Sequence, residues 1–171
     1  MKKTVLIGCS LFFLAAFGLA QEKIASQWKC GSSTEQHAMD VGDRQHHQYV
    51  VGKAACTAAR SDANEKEGSG VQFDEISGNN SQWHGEFIST TDSGDKIYYS
   101  YRGKGTLKDN MVENGHHAWT IHGGTGKFKN ARGSGTCDGK LGEGATVWDC
   151  NGTYTTARGA SMARKPAMPP K

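Results

Sequence analysis

Trp119-Thr-Ile-His-Gly-Gly-Thr-Gly-Lys-Phe-Lys-Asn-Ala-Arg-Gly-Ser-Gly-Thr-Cys137 is the stretch on which the fold turns. Residues 117–122 alternate as a strand, with His117, Trp119 and Ile121 on one side and Ala118, Thr120 and His122 on the other. The chain then turns between Gly123 and Asn130 and restarts as a second strand whose Gly133, Gly135, Cys137 and Gly139 share a nearly bare face. Beyond the turn Leu141-Gly-Glu-Gly144, a third strand carries Trp148, Cys150, Gly152 and Tyr154 on a single face. Setting Cys137 opposite Cys150 places Gly139 opposite Trp148 and Gly133 opposite Tyr154, so that aromatic rings cover cross-strand glycines, a device of curved sheets. The same register puts Asp138 directly opposite Asp149, a repulsive pair unless solvent, a basic side chain or a cation intervenes.

The glycines are not a phosphate cradle. A P-loop requires glycine where Ile121 stands and Ser or Thr where Phe128 stands. In the dinucleotide fingerprint the third glycine is replaced by Lys129, and no amphipathic helix follows.

Outward from this run the chain is a series of short alternating segments broken by Gly, Asp, Asn and Ser, without a helical apolar period, which predicts an all-β antiparallel sandwich or barrel. Residues 81–91 and 96–105 flank the hairpin signal Asp92-Ser-Gly-Asp95. With Thr91 opposite Lys96, His84, Glu86 and Ile88 share a face with Tyr99 and Tyr101, while Trp83, Phe87 and Tyr98 share the other with Arg102. Upstream, residues 35–41 and 45–58 flank Gly42-Asp43-Arg44, and a hairpin centred on Asp43 sets Cys30 opposite Cys56 and Asp40 opposite His46. Residues 61–69 read as a polar loop, Ser77-Gly-Asn-Asn80 and Glu113-Asn114-Gly115 as turns, and residues 107–112 as a ragged strand or loop.

The ends set the address. Lys2 and Lys3 precede an apolar stretch that closes on Gly-Leu-Ala20, the pattern of a signal peptide over residues 1–20. The stretch is interrupted by Cys9, Ser10 and Gly18 and is too short to span a bilayer, so no membrane span is expected after its removal. Residues 21–156 make one domain, and residues 157–171, with Arg158, Arg164, Lys165 and Lys171 among prolines, read as a disordered basic tail. Removing Lys2 and Lys3 from the 20 basic residues leaves 18 against 17 acidic ones, a net charge of +1 that offers no footprint for nucleic acid. Removing Cys9 leaves Cys30, Cys56, Cys137 and Cys150, an even set that reads as two disulfides in a periplasmic or extracellular protein. Count alone allows three connectivities; the two registers above favour Cys30–Cys56 and Cys137–Cys150. The neighbours His46-His47 and His116-His117 point to opposite faces of a strand and cannot chelate one ion as pairs, so no metal and no cofactor are expected.

The segment Ile121-His-Gly-Gly-Thr-Gly-Lys-Phe-Lys-Asn-Ala-Arg-Gly133 resembles the Gly-Gly-Thr-Gly-Lys-Phe, Ala-x-Gly signature of plant dirigent proteins, of which allene oxide cyclases carry a looser form. With export and paired cysteines, the chain looks most like the bacterial secreted proteins grouped with the allene oxide cyclase barrel. The resemblance implies an eight-stranded antiparallel calycin-like β-barrel with a central hydrophobic cavity, and leaves a homo-oligomer open because the plant members are often trimeric. Allene oxide cyclases close a ring in a fatty-acid epoxide, and dirigents guide the coupling of phenoxy radicals or quinone methides. The chain has no proline before Pro166 to match the cyclase cavity. Arg132 falls inside the signature. The expected function is binding of a small apolar or aromatic ligand, with Glu86, Tyr99, Tyr101, Trp119 and Arg132 as contacts; the alternatives are an isomerase or cyclase steering a reactive intermediate, and a purely structural envelope protein whose barrel is filled.

Overall fold

The computed structural model describes residues 21–156, so the expected signal peptide and basic tail lie outside the described residues. Nine strands form one antiparallel sheet: β1 (Glu22–Cys30), β2 (Glu35–Asp40), β3 (His47–Ser61), β4 (Glu65–Ser77), β5 (Asn80–Thr91), β6 (Lys96–Lys108), β7 (Met111–Gly124), β8 (Arg132–Leu141) and β9 (Thr146–Thr155). β1 pairs with both β9 and β3, which closes eight strands into a barrel. β2 is the ninth strand, added to the edge of β3 beyond the closure. The 15-residue β3 can serve both because its second half takes β1 and its first half takes β2. Among the described residues no helix is long and apolar enough to cross a membrane.

Alternation decides what faces the lumen. Ile24, Trp28, Trp83, Trp119, Trp148 and Tyr154, each from an inward-facing position of its strand, are all less than a tenth exposed. Disulfides join Cys30 to Cys56 and Cys137 to Cys150, and the β8–β9 register places Gly139 opposite Trp148 and Gly133 opposite Tyr154, as the sequence predicts. Asp138 does lie opposite Asp149. The repulsion is relieved sideways: His116 Nδ1 meets Asp138 at 2.8 Å, while Asp149 accepts from Gln27 at 2.9 Å and from Arg60 at 3.4 Å.

One end of the barrel is sealed by the signature run itself. After Gly124 the chain makes a 3-10 turn, Gly126–Phe128, that lays Phe128 and Ala131 against Ile97, all three fully buried. Thr125 N donates to Lys96 O at 2.9 Å and Thr125 Oγ1 accepts from Lys96 N at 2.8 Å, tying the turn to β6. Gly126 has φ of +51° and the Asp95 carboxylate occupies the space a Cβ would need.

Four local expectations are corrected. Five residues, Thr91–Asp95, separate the last β5–β6 pair, with Thr91 N donating to Asp95 O, so Thr90 rather than Thr91 faces Lys96. That slip of one residue exchanges the faces: Trp83 and Phe87 point inward with Tyr99 and Tyr101, and His84, Glu86 and Ile88 point outward with Tyr98 and Arg102. The turn expected at Glu113-Asn114-Gly115 is strand, because the chain reverses earlier at Asp109-Asn110, whose φ values of 50° and 60° fit the two-residue loop joining Lys108 to Met111. Gly115 stays in the strand, where a Cβ would come within 2.8 Å of Trp83 Cη2 and 3.1 Å of Trp148 Cη2. β4 begins at Glu65 inside the expected polar loop, and Asp40 faces Gln48 instead of His46.

Candidate functional site

The lumen is not filled. Between the sealed end and the rim built from residues 31–36 and the β6–β7 turn lies a cavity of about 210 Å3. Two aromatic files wall it. In the first, Trp28 meets Phe87 edge-on at 5.3 Å, Phe87 meets Tyr99 at 6.4 Å, and Tyr99 meets Trp119 edge-on at 5.7 Å. In the second, Tyr101 lies 5.3 Å from His117, which lies 4.4 Å from Trp148. Glycines make room for these rings: the Trp119 indole lies across the cross-strand pair Gly135–Gly152, where a Cβ on either residue would come within 2.4 Å of it.

A polar group enters this apolar chamber from β4. Gln72 and Asp74 alternate inward there, and Gln72 Nε2 donates to both oxygens of Asp74 at 3.0 Å. Ser81 Oγ donates to Asp74 Oδ1 at 3.0 Å, and Tyr101 OH donates to Gln72 Oε1 at 3.0 Å. Burial raises the Asp74 carboxyl above its ordinary range, against the opposing pull of the Gln72 and Ser81 hydrogen bonds and the charge of His84. Burial likewise raises the Tyr101 phenol, with Asp74 and Glu86 adding to the effect. It depresses His117 to about 4, helped by His116 and opposed by Asp138, so this imidazole is neutral at physiological pH. Among the described residues neither lysine nor arginine lines the cavity, and Asp74 makes no ion pair. Among the described residues the side-chain nitrogens His117 Nδ1 and Trp119 Nε1 are buried without a hydrogen-bond partner.

Of the residues singled out from sequence, Tyr99, Tyr101 and Trp119 line the cavity. The Tyr99 hydroxyl is already engaged, donating at 2.7 Å to Glu65, a buried carboxylate that also accepts from Ser61 at 2.8 Å and Ser89 at 2.6 Å. Glu86 lies on the outer wall, 2.9 Å from His122 Nε2. Arg132 is also outside, donating from Nη1 to the carbonyls of His122 and Ala131 at 2.7 Å, where it braces the turn that seals the barrel. Sequence reasoning missed Asp74, Gln72, Trp28, Phe87, His117 and Trp148 as a group. The correct β5–β6 register would have brought in Phe87, but Asp74 carries no motif and is distinguished only by its inward position.

The three donors of His117, Cys137 and Cys150 lie within 4.8 Å of one another. The two cysteines are joined in a disulfide and offer no thiolate, so the cluster is not a metal centre. Of the two histidine pairs, His47 is spent on Asp43 at 2.5 Å and Glu75 at 3.2 Å, and His116 and His117 face opposite sides of β7.

No family model matches the chain, and no curated protein does. Among solved structures the chain is similar to the pterocarpan synthase dirigent protein, at a TM-score of 0.48 and 12% identity, covering 81% of this chain and 92% of that one. A likeness this distant carries no weight for activity.

Proposed function

We propose that this is an exported barrel that binds one small apolar or aromatic molecule in its lumen. The observation that carries the reading is the cavity of about 210 Å3 between two aromatic files. Apolar cavities of about 150 Å3 in proteins hold benzene, so this lumen suits a single substituted ring or a compact bicycle rather than a long acyl chain. A barrel serving only as structure would pack its lumen solid, because empty apolar space forfeits dispersion contacts. Placement with the secreted allene oxide cyclase barrel-like proteins is part of this proposal and rests on the signature in residues 121–133. The isomerase or cyclase alternative is favoured by one observation, the Asp74 carboxyl with its raised pKa linked through Gln72 to Tyr101, an arrangement able to donate or accept a proton inside the cavity. Native mass spectrometry of protein from its own envelope tests binding, together with tryptophan fluorescence during titration with indane, since Trp28, Trp119 and Trp148 all line the cavity. A co-purified small molecule or a saturable change is expected; neither appearing overturns the proposal.

A further inference from the structure

The charge balance of the cavity is one-sided. Its wall presents the rings of Trp28, Phe87, Tyr101, Trp119 and Trp148, whose faces carry negative electrostatic potential. Its one carboxylate, Asp74, is held by neutral donors only, the amide of Gln72 and the hydroxyl of Ser81. A carboxylate placed in an apolar chamber costs free energy unless it is paired, and among the described residues no lysine or arginine lines this one. Rings around a lone acid, with no lysine or arginine of the described residues among them, form a complement to positive charge: each ring face attracts a cation, and the acid neutralises it. An anionic ligand would meet the opposite field, with no basic group to receive it.

We propose that the ligand of this cavity is an organic monocation, an ammonium group carried on a small aromatic or aliphatic body. The inference rests on the preceding reading of the lumen as a binding site and adds the charge of the occupant. His117 fits it, because a neutral imidazole in the wall adds no opposing charge. Of the titratable groups around Asp74, Tyr101 on β6 reaches it through Gln72, His117 on β7 lines the same cavity, and His84 on β5 acts on it from the outer face of the wall, while Val50, its partner on β3, contributes none.

The test uses two probes of one shape, phenyltrimethylammonium and tert-butylbenzene, titrated into the intact protein with tryptophan fluorescence as the readout. In a merely apolar cavity the hydrocarbon binds more tightly, since moving an ammonium out of water is costly. Here the cation binds more tightly by about 30-fold, the equivalent of the ~2 kcal/mol that a desolvated cation–ring contact contributes. Cation affinity falls with falling pH as Asp74, its carboxyl raised by burial, takes up a proton, and hydrocarbon affinity does not. Asp74→Asn brings the ratio of the two affinities toward one. Equal binding, or preference for the hydrocarbon, overturns the inference while leaving the lumen a binding site; binding of neither probe overturns both. If Asp74→Asn does not fold, the pH series on the unaltered protein decides, and a flat or rising cation affinity toward acid overturns the inference.

Discussion

Gly135→Ala adds one methyl group to the wall behind the Trp119 indole, and the structure gives it nowhere to go. A Cβ at that position would stand 2.1 Å from the carbonyl oxygen of Asn151 and 2.3 Å from Trp119 Cζ2. The first neighbour is backbone held in the β8–β9 ladder, so the clash cannot be relieved by turning a side chain. The second is a ring only 6% exposed that also abuts Gly152, leaving it no free direction along the sheet. Overpacking of this kind costs about 1–3 kcal/mol, and the backbone contact argues for the upper end. For a domain of this size that lowers the midpoint of thermal unfolding by roughly 10 °C. The assay is thermal unfolding under oxidising conditions, followed by near-ultraviolet circular dichroism, which reports on the packing of the tryptophans. Gly142→Ala is the control, because its Cβ would meet nothing closer than Val147 Cγ2 at 3.5 Å. The control should be neutral or slightly stabilising. Equal stability of the two variants would refute the claim that glycines on β8 and β9 are there to seat aromatic rings.

Glu65→Ala removes the common acceptor of Ser61, Ser89 and Tyr99 and leaves the buried hydroxyls of Ser89 and Tyr99 unpaired, which should cost about 3 kcal/mol in urea unfolding. Glu65→Gln, which keeps an acceptor oxygen, should cost less, and an alanine variant within ~1 kcal/mol of the parent contradicts the network's role. His117, at about 4 in the folded barrel and near its ordinary value unfolded, binds fewer protons in the folded state between those values. Stability therefore falls as pH drops through that window, by at most ~3 kcal/mol; His117→Gln should flatten this part of the pH profile, and an unchanged slope counts against burial as the cause.

The architecture was legible where two constraints met in one segment. Cys137, Gly139, Trp148 and Cys150 demanded a single register, and the barrel uses it. The β5–β6 hairpin lacked such a pin. Asp92-Ser-Gly-Asp95 accommodates a four- or a five-residue loop, and only the hydrogen bond from Thr91 N to Asp95 O selects the longer one. Because strand side chains alternate, that one choice sent Glu86 outside and brought Phe87 in. Asp74 was invisible for a different reason. Its consequence comes from side chains that only the strand registers bring to it, Ser81 across the β4–β5 hairpin and Gln72, which carries the link on to Tyr101 of β6. Arg132, by contrast, lay in the right motif but is used by its backbone neighbours in the turn.

Among the described residues Phe128 and Ala131 close one end of the barrel, and the cavity reaches the other, past Gly31, Ser33, Asn110 and Met111. A vessel with one mouth has one route in and out, so any group narrowing that rim slows arrival and departure by the same factor. Substitution at Met111, on the rim, thus acts chiefly on how long an occupant takes to enter and leave, whereas substitution in the aromatic files acts chiefly on how much is bound. The Cys30–Cys56 bond pins the segment forming one lip of that mouth. Cutting it with a reductant should therefore quicken exchange well before the barrel comes apart.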